Sequence, residues 1–481
     1  MMGQKPGDHS IDRDWLLCQT EQFWEERIID SLCDYIAIPN LSPSFDKQWH
    51  SNGYMHAAIN HVRDWIDKQK VEGLDITIHE IPGLTPTLVA ELPGQLDDTI
   101  LLYGHLDKQP EFSGWHEGLA PWKPVRRGDK LFGRGGADDG YAVYAAICAV
   151  KLLLTLNRPL PRIVILIECS EESGSPDLLA YMDALDPVIG KPSLVFALDS
   201  TCGNYQQLWV TTSLRGIITG ELNVTVLNQA AHSGAAGGIV PSSFRILRQV
   251  ISRLEDEQTG LITPDFLQEQ IPAQRRKEAE LAGEVLKDQF SHLFDQVAQP
   301  ISTNPTELIL NNTWLSTLEI TGMDGLPAVD KAGNVLRAFT KAKLALRLPP
   351  TINAAQALEK LSNLLESQAP HSAKVSFVAD LPNPGWQAPP EQPELTAALH
   401  RASNAFFGLP AMSMGCGGSI PFMEALASRL PNAQFVVTGV LGPMSNAHGP
   451  NEFLHLPTAK KITASVISII CDWSEKASEQ D

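Results

Sequence analysis

An α/β fold with a separate α+β unit set into it is what this sequence predicts, and three observations carry the prediction. Arg162 to Glu168 (RIVILIE) is an almost continuous apolar run, the pattern of a strand buried on both faces of a parallel sheet. Tyr141 to Leu156 is an apolar helix between that run and the short β-branched segment Thr99 to Tyr103, so strand, crossover helix and strand follow in order. From about Leu214 the pattern changes. Gly216 to Leu227 and Ala338 to Leu348 alternate like strands with one open face, accompanied by amphipathic helices near Ser242 to Glu257 and Ile352 to Gln368.

The remaining elements follow along the chain. Trp15 to Ile38 and Met55 to Gln69 repeat apolar residues every three or four positions, which predicts helices ending near Glu72-Gly73. Ile76 to Ile81, Thr87 to Leu92 and Ser193 to Leu198 read as short strands bounded by Pro, Gly or Asp. Leu261 to Pro300, rich in Gln, Glu and Lys, predicts a solvated helical excursion. Beyond the Pro-rich joint at Leu381 to Pro393 the buried pattern returns, with Ala433 to Gly439 a strong strand. No internal repeat or low-complexity tract interrupts it.

At 481 residues the chain exceeds what one core usually fills, and 43% hydrophobic with 19% charged residues is an ordinary globular balance. Thirty-seven basic against fifty-six acidic side chains leave −19, the wrong sign for a partner read through its phosphates, so no nucleic acid is expected. No apolar run approaches the ~18–20 residues of a membrane helix, and the longest, near Ala145 to Leu156, is broken by Lys151. The opening MMGQKPGDHSIDRDW has no apolar signal core, which leaves a cytoplasmic location as the expectation. Seven scattered cysteines without a CxxC pair argue against a disulfide framework and a thiolate zinc site. Histidines and carboxylates must hold any metal.

Five motifs carry the chemistry, most of them closing a strand. Gly104-His105-Leu106-Asp107 follows Thr99 to Tyr103, and ligands of open α/β sheets gather at such strand ends. Gly133 to Gly140 (GRGGADDG) is a Gly-rich turn that brings Asp138 and Asp139 to the start of a helix, where a carboxylate pair would repel phosphate. Glu168 to Gly174 (ECSEESG), Asp199 and finally His448 in Met444 to Pro450 complete the set. Each alone has an ordinary reading: a loop histidine, a helix N-cap, a solvated turn or a strand-end acid. Together they concentrate like charges that a cation would neutralise. Histidine and carboxylate without thiolate suit Zn²⁺, and also Mn²⁺ or Co²⁺.

In this order and spacing the motifs resemble the co-catalytic metallohydrolase family of carnosinase, cytosolic nonspecific dipeptidase, aminoacylase, acetylornithine deacetylase and succinyl-diaminopimelate desuccinylase. The likeness spans nearly the whole chain. It implies a zinc-peptidase-like α/β domain with a mixed sheet flanked by helices, formed by residues 1–213 and 386–481, and an inserted α+β dimerisation or lid domain at 214–385. It further implies two divalent ions, one held by His105 and Asp199, the other by Glu172 and His448, with Asp138 bridging them. Asp107 resembles the acid that orients His105, Glu171 the general base, and the Asp138–Asp139 peptide is expected to be cis. Two ions ~3.5–4 Å apart lower the pKa of a shared water towards neutrality, and a base that is not a ligand can pass its proton to the leaving nitrogen.

Within the insert, His232 in Gln229 to Gly234 (QAAHSG) resembles the histidine that polarises the scissile carbonyl, acting across a homodimer. Arg347 resembles the arginine that holds a substrate carboxylate, a task for which a guanidinium fork is suited. Asn334, thirteen residues earlier, falls where the dipeptidases have Thr, and Ser419 lies in a matching Gly-Gly-Ser-Ile-Pro. Three positions depart from the pattern: Gly140 stands in place of Lys, Gly415-Cys416 in place of Arg-Glu, and Gln392 where a histidine is expected. The resemblance points to a dipeptidase or related exopeptidase, with an N-acyl amino-acid deacylase or desuccinylase as the alternative. A dipeptide or N-acyl amino acid is therefore the expected small-molecule substrate.

Overall fold

The computed structural model describes residues 11–290 and 297–479. Most of the polar opening, residues 1–10, and residues 291–296 of the Gln/Glu/Lys-rich stretch lie outside them. Alternation with both faces apolar builds the main sheet, whose six strands run in the order Asp75–His79, Thr87–Leu92, Arg162–Glu168, Thr99–His105, Leu194–Ala197 and Gln434–Val437. The last four are mutually parallel, whereas Thr87–Leu92 runs antiparallel to both its neighbours, Asp75–His79 and Arg162–Glu168, so the sheet is mixed.

Successive strand residues point to opposite faces, and both faces are covered. Ile100, Leu102, Ile163, Ile165, Phe196 and Val436 pack with the helices Tyr141–Thr155, Pro393–Phe406 and Leu456–Glu479. Leu101, Tyr103, Val164, Leu166, Val195 and Val437 pack instead with Leu178–Ala184 and Pro421–Arg429. Arg162–Glu168 occupies the span read from its apolar run, and Tyr141–Thr155 is buried over most of its length, as a crossover helix between layers must be. The cysteines are all free, and four of the seven are buried as small apolar residues. No helix among the described residues is long and apolar enough to cross a membrane.

A second, four-stranded antiparallel sheet runs Thr317–Asp324, Phe339–Leu348, Gly216–Thr225 and Lys374–Ala379. Alternate residues Ile218, Leu222, Val224, Leu344 and Leu346 bury one face against the helices Ser243–Ile251 and Ala354–Glu366. Ser242 and Asn353 start these helices by accepting from the backbone N–H three residues on, at 3.3 and 2.9 Å.

One expectation is corrected in part. The stretch read as a solvated helical excursion does form a helix, Ala273–Leu286, most of whose residues are exposed, but its other face packs through Ala279, Ala282 and Leu286 on Pro305–Thr313, Trp209 and Trp314. That buried face consists of Arg275, Ala279, Ala282, Gly283 and Leu286, so the sequence shows no strong apolar stripe there.

Candidate metal centre

Parallel pairing brings the strand-end motifs side by side. Tyr103 is registered with Ala197, and two residues beyond this pair stand His105 and Asp199; His105 is itself registered with Glu168. Asp107 turns back across the strand ends. Its Oδ1 and Oδ2 accept from the backbone N–H groups of Glu171 (3.1 Å) and Glu172 (2.9 Å), and Oδ1 lies 3.4 Å from His105 Nδ1. One buried carboxylate therefore sets both the imidazole and the turn that carries the two glutamates.

The Asp138 position follows a turn whose backbone favours glycine. Gly135 has φ 78°, and a Cβ there would meet the Lys108 side chain at 2.6 Å. Past this turn the Asp138–Asp139 peptide bond is cis, as the resemblance implies. The two carboxylates then part. Asp138 Oδ1 lies 3.6 Å from His105 Nε2, and its Oδ2 lies 2.9 Å from His448 Nε2. Asp139 faces inward, its Oδ2 accepting from the His105 backbone N–H at 3.4 Å.

Two groups of donors result: His105, Asp138 and Asp199, all buried, and Asp138, Glu172 and His448, with the histidine exposed. Within each, the donor atoms lie within 4.8 Å of one another. Asp199 Oδ2 is 3.6 Å from His105 Nε2, and Glu172 Oε2 is 3.3 Å from His448 Nε2. Glu171 belongs to neither group; its Oε2 stands 3.9 Å from His105 Nε2.

These residues fit divalent cations. His105 Nε2 is buried without a hydrogen-bond partner, although three carboxylates ring it at 3.6–3.9 Å. A lone imidazole nitrogen aimed at converging oxygens is an arrangement a cation completes. The charges tell the same story. Burial, and then the charge of Asp138, pushes Asp199 up to about 7; burial and the charge of Asp199 hold Glu171 well above the usual carboxylate range. Asp138 behaves oppositely: burial opposes its ionisation, but contacts with His105 and His448 hold it below that range.

The other expected residues lie apart. His232 is exposed, pairs with Val335 in a two-stranded ladder, and accepts from the Gly234 N–H at 3.1 Å through Nδ1. No described hydrogen bond or ion pair joins it to either donor group. Asn334 is its neighbour, accepting from the Ser233 N–H at 2.9 Å through its carbonyl. Arg347 and Ser419, 72 positions apart, meet at 3.3 Å.

Several residues here escaped the sequence reading. Gln109 donates to Glu172 Oε2 at 2.6 Å. Glu168, pushed up to about 7 by burial and then by the charge of Asp107, accepts from the hydroxyls of Tyr103, Ser170 and Ser175 and so supports the glutamate turn. Arg215 donates to the Gly417, Asn311 and Leu315 carbonyls at 3.0–3.2 Å, beneath the Ser419 loop. Arg134 and Glu452 form a buried ion pair. The signals were faint: only Glu168, closing the RIVILIE strand, stood at a position that pattern alone could mark.

The asymmetry in exposure has a measurable outcome. Protein loaded with two ions and dialysed against a chelator should lose metal in two phases, first the ion beside exposed His448. Metal content against time checks this; a single phase removing both ions together would contradict it.

The sheet and its two donor groups fit a metal-dependent hydrolase of peptide or amide bonds. The chain belongs to peptidase family M20/M25/M40, whose pattern it matches over residues 101–472, and is a metallopeptidase. It is 26% identical over 438 residues to the cysteinylglycine-S-conjugate dipeptidase of Corynebacterium striatum, covering 89% of this chain and 91% of that one. It is likewise 26% identical over 371 residues to the Beta-Ala-His dipeptidase of Mus musculus, covering 74% of each. The fold matches that of the di-peptidase Dug1p from Saccharomyces cerevisiae with a TM-score of 0.74, at 19% identity over 96% of this chain and 99% of the other.

Proposed function

We propose that this protein is a two-metal dipeptidase that hydrolyses the amide bond of dipeptides or other small peptides. The observation carrying the reading is the Asp138 carboxylate, each oxygen of which faces a different histidine. His105 and Asp199 would hold one ion, Glu172 and His448 the other, with Asp138 shared; zinc is the first choice, with manganese and cobalt the alternatives. Bound there, two such ions supply Lewis acidity and acidify water.

The chain's own groups do the rest. Glu171, beside the donors but outside them, accepts the proton of the attacking water and delivers it to the departing nitrogen. Asp107 keeps His105 turned towards the site. Arg347, steadied by Ser419, offers its fork to the substrate's terminal carboxylate. Asn334, whose carbonyl accepts from the Ser233 N–H beside His232, would reach the substrate together with that histidine. A deacylase or desuccinylase would also use that arginine, since an N-acyl amino acid carries the same carboxylate. Metal-loaded protein incubated with a dipeptide panel and an N-acyl amino-acid panel tests the reading. Cleavage of dipeptides is expected; cleavage of acyl amino acids alone would establish the alternative, and cleavage of neither would refute both.

The second sheet and its helices, within 214–385, are proposed to pair two copies of the chain. His232 is exposed and touches neither donor group of its own chain, which supports a role in the partner's site, polarising the scissile carbonyl as charge builds on oxygen. Loss of one such donor typically costs ~10²–10³ in turnover, so His232→Ala should be nearly inactive with its metals intact. Mixing the inactive Glu171→Ala and His232→Ala proteins, with subunit exchange, should restore up to about a quarter of wild-type activity through mixed dimers. No recovery despite demonstrated exchange would place His232 outside the partner's site.

A further inference from the structure

The loop that carries His448 is held from inside and outside. Within residues 444–451, Met444, Asn446, His448 and Asn451 all have left-handed backbones, with φ between 55° and 64°. Asn and His enter this region more readily than most residues, whereas Met444 relies on its neighbours. Asn446 helps from inside the loop, donating to the Pro450 carbonyl. From outside, the His116 N–H donates to Asn451 Oδ1 at 2.7 Å and the Tyr205 hydroxyl to the Pro443 carbonyl at 3.1 Å, and the buried anchor is the Gly-rich turn leading to Asp138.

There, Arg134 and Glu452 are both fully buried, at 1% and 0% exposure. Arg134 Nη1 donates to Glu452 Oε2, and its Nη2 donates to the Gly449 carbonyl at 2.7 Å. Glu452 Oε1 accepts from the Gly135 N–H at 2.9 Å, and the Glu452 carbonyl accepts from the Gly133 N–H at 3.1 Å. Four hydrogen bonds thus tie residues 133–135 to 449–452, starting five residues before Asp138 and ending four residues after His448. A buried ion pair is weak evidence for stability, because desolvation offsets its attraction. What this one fixes is the separation of two loops that each give a donor to the same group.

We propose that the Arg134–Glu452 pair is a positioning device for the second ion. It sets how closely His448 approaches that ion beside Asp138 and Glu172, while His105, Asp138 and Asp199 keep their places. The proposal rests on the two-metal reading above. His105 and Asp199 are placed by the parallel strands, and Asp138 by its own turn, closed by the Gly140 N–H donating to the Gly135 carbonyl at 3.0 Å, so the effect falls on the ion that His448 holds.

The test measures zinc affinity by chelator competition and stoichiometry by mass spectrometry, with circular dichroism to follow the fold. The proteins are the wild type, Glu452→Gln, Arg134→Lys and, as reference, His448→Ala. The wild type should take up two ions. Glu452→Gln and Arg134→Lys should keep the first at unchanged affinity and bind the second about 10–100-fold more weakly, as is usual when a residue supporting a ligand is lost. The affinity they retain should match that of His448→Ala. Unchanged affinity for both ions, equal weakening of both, or loss of the fold in both variants would overturn the proposal. A wild type that takes up fewer than two ions would instead refute the two-metal reading, and the positioning role with it.

Discussion

Glu171→Gln is expected to bind two ions as the wild type does and to turn over substrate ~10²–10⁴-fold more slowly, the range a positioned base contributes. The substitution keeps size and shape, and the backbone N–H of residue 171 still donates to Asp107 Oδ1, so the turn bearing Glu172 stays in place. What disappears is the carboxylate that can take a proton. Burial and the neighbouring Asp199 hold Glu171 above the usual carboxylate range. Metal content and steady-state rates on the same preparation decide the matter. Near-normal turnover would remove Glu171 from the role of base, and loss of metal would make it a ligand.

Asp138→Ala should lose both activity and metal. Without that side chain the first group keeps His105 and Asp199 and the second keeps Glu172 and His448, two donors each where three converged. Neither pair matches the three or more protein ligands usual for such ions. By contrast, Asp199→Ala should spare the ion beside His448, since Asp199 belongs to only one group. Mass spectrometry of the proteins after gel filtration in metal-free buffer gives the count. Two ions retained in Asp138→Ala would show that the carboxylate is not shared.

The parts of the molecule legible in the sequence were those in which pattern and burial coincide. Arg162–Glu168 could be bounded because a strand covered on both faces is apolar along its length between its end residues, and Thr87–Leu92 because Pro and Gly flank it. The donors stood out because His105, Glu172 and Asp199 lie on or just beyond strand ends and Asp138 follows a Gly-rich turn at a helix start. Pairwise geometry was hidden. Arg134 and Glu452 are 318 positions apart, and nothing local distinguishes an arginine in a Gly-rich turn from a solvated one. Asp138 and Asp139 look equivalent as letters; only the backbone between them sends one towards the histidines and the other inward. One face of Ala273–Leu286 was misread because alanine can bury a helix face without a strong apolar stripe. Arg215, between two strands, reads as a surface residue until its carbonyl partners are seen.

The central claim is that one carboxylate serves two cations. Anomalous diffraction at the zinc edge, from crystals grown with zinc, tests it most directly. The account predicts two peaks ~3.5–4 Å apart, one beside His105 and Asp199, the other beside Glu172 and His448, with one Asp138 oxygen on each. A single peak, or two peaks of which only one touches Asp138, would contradict it.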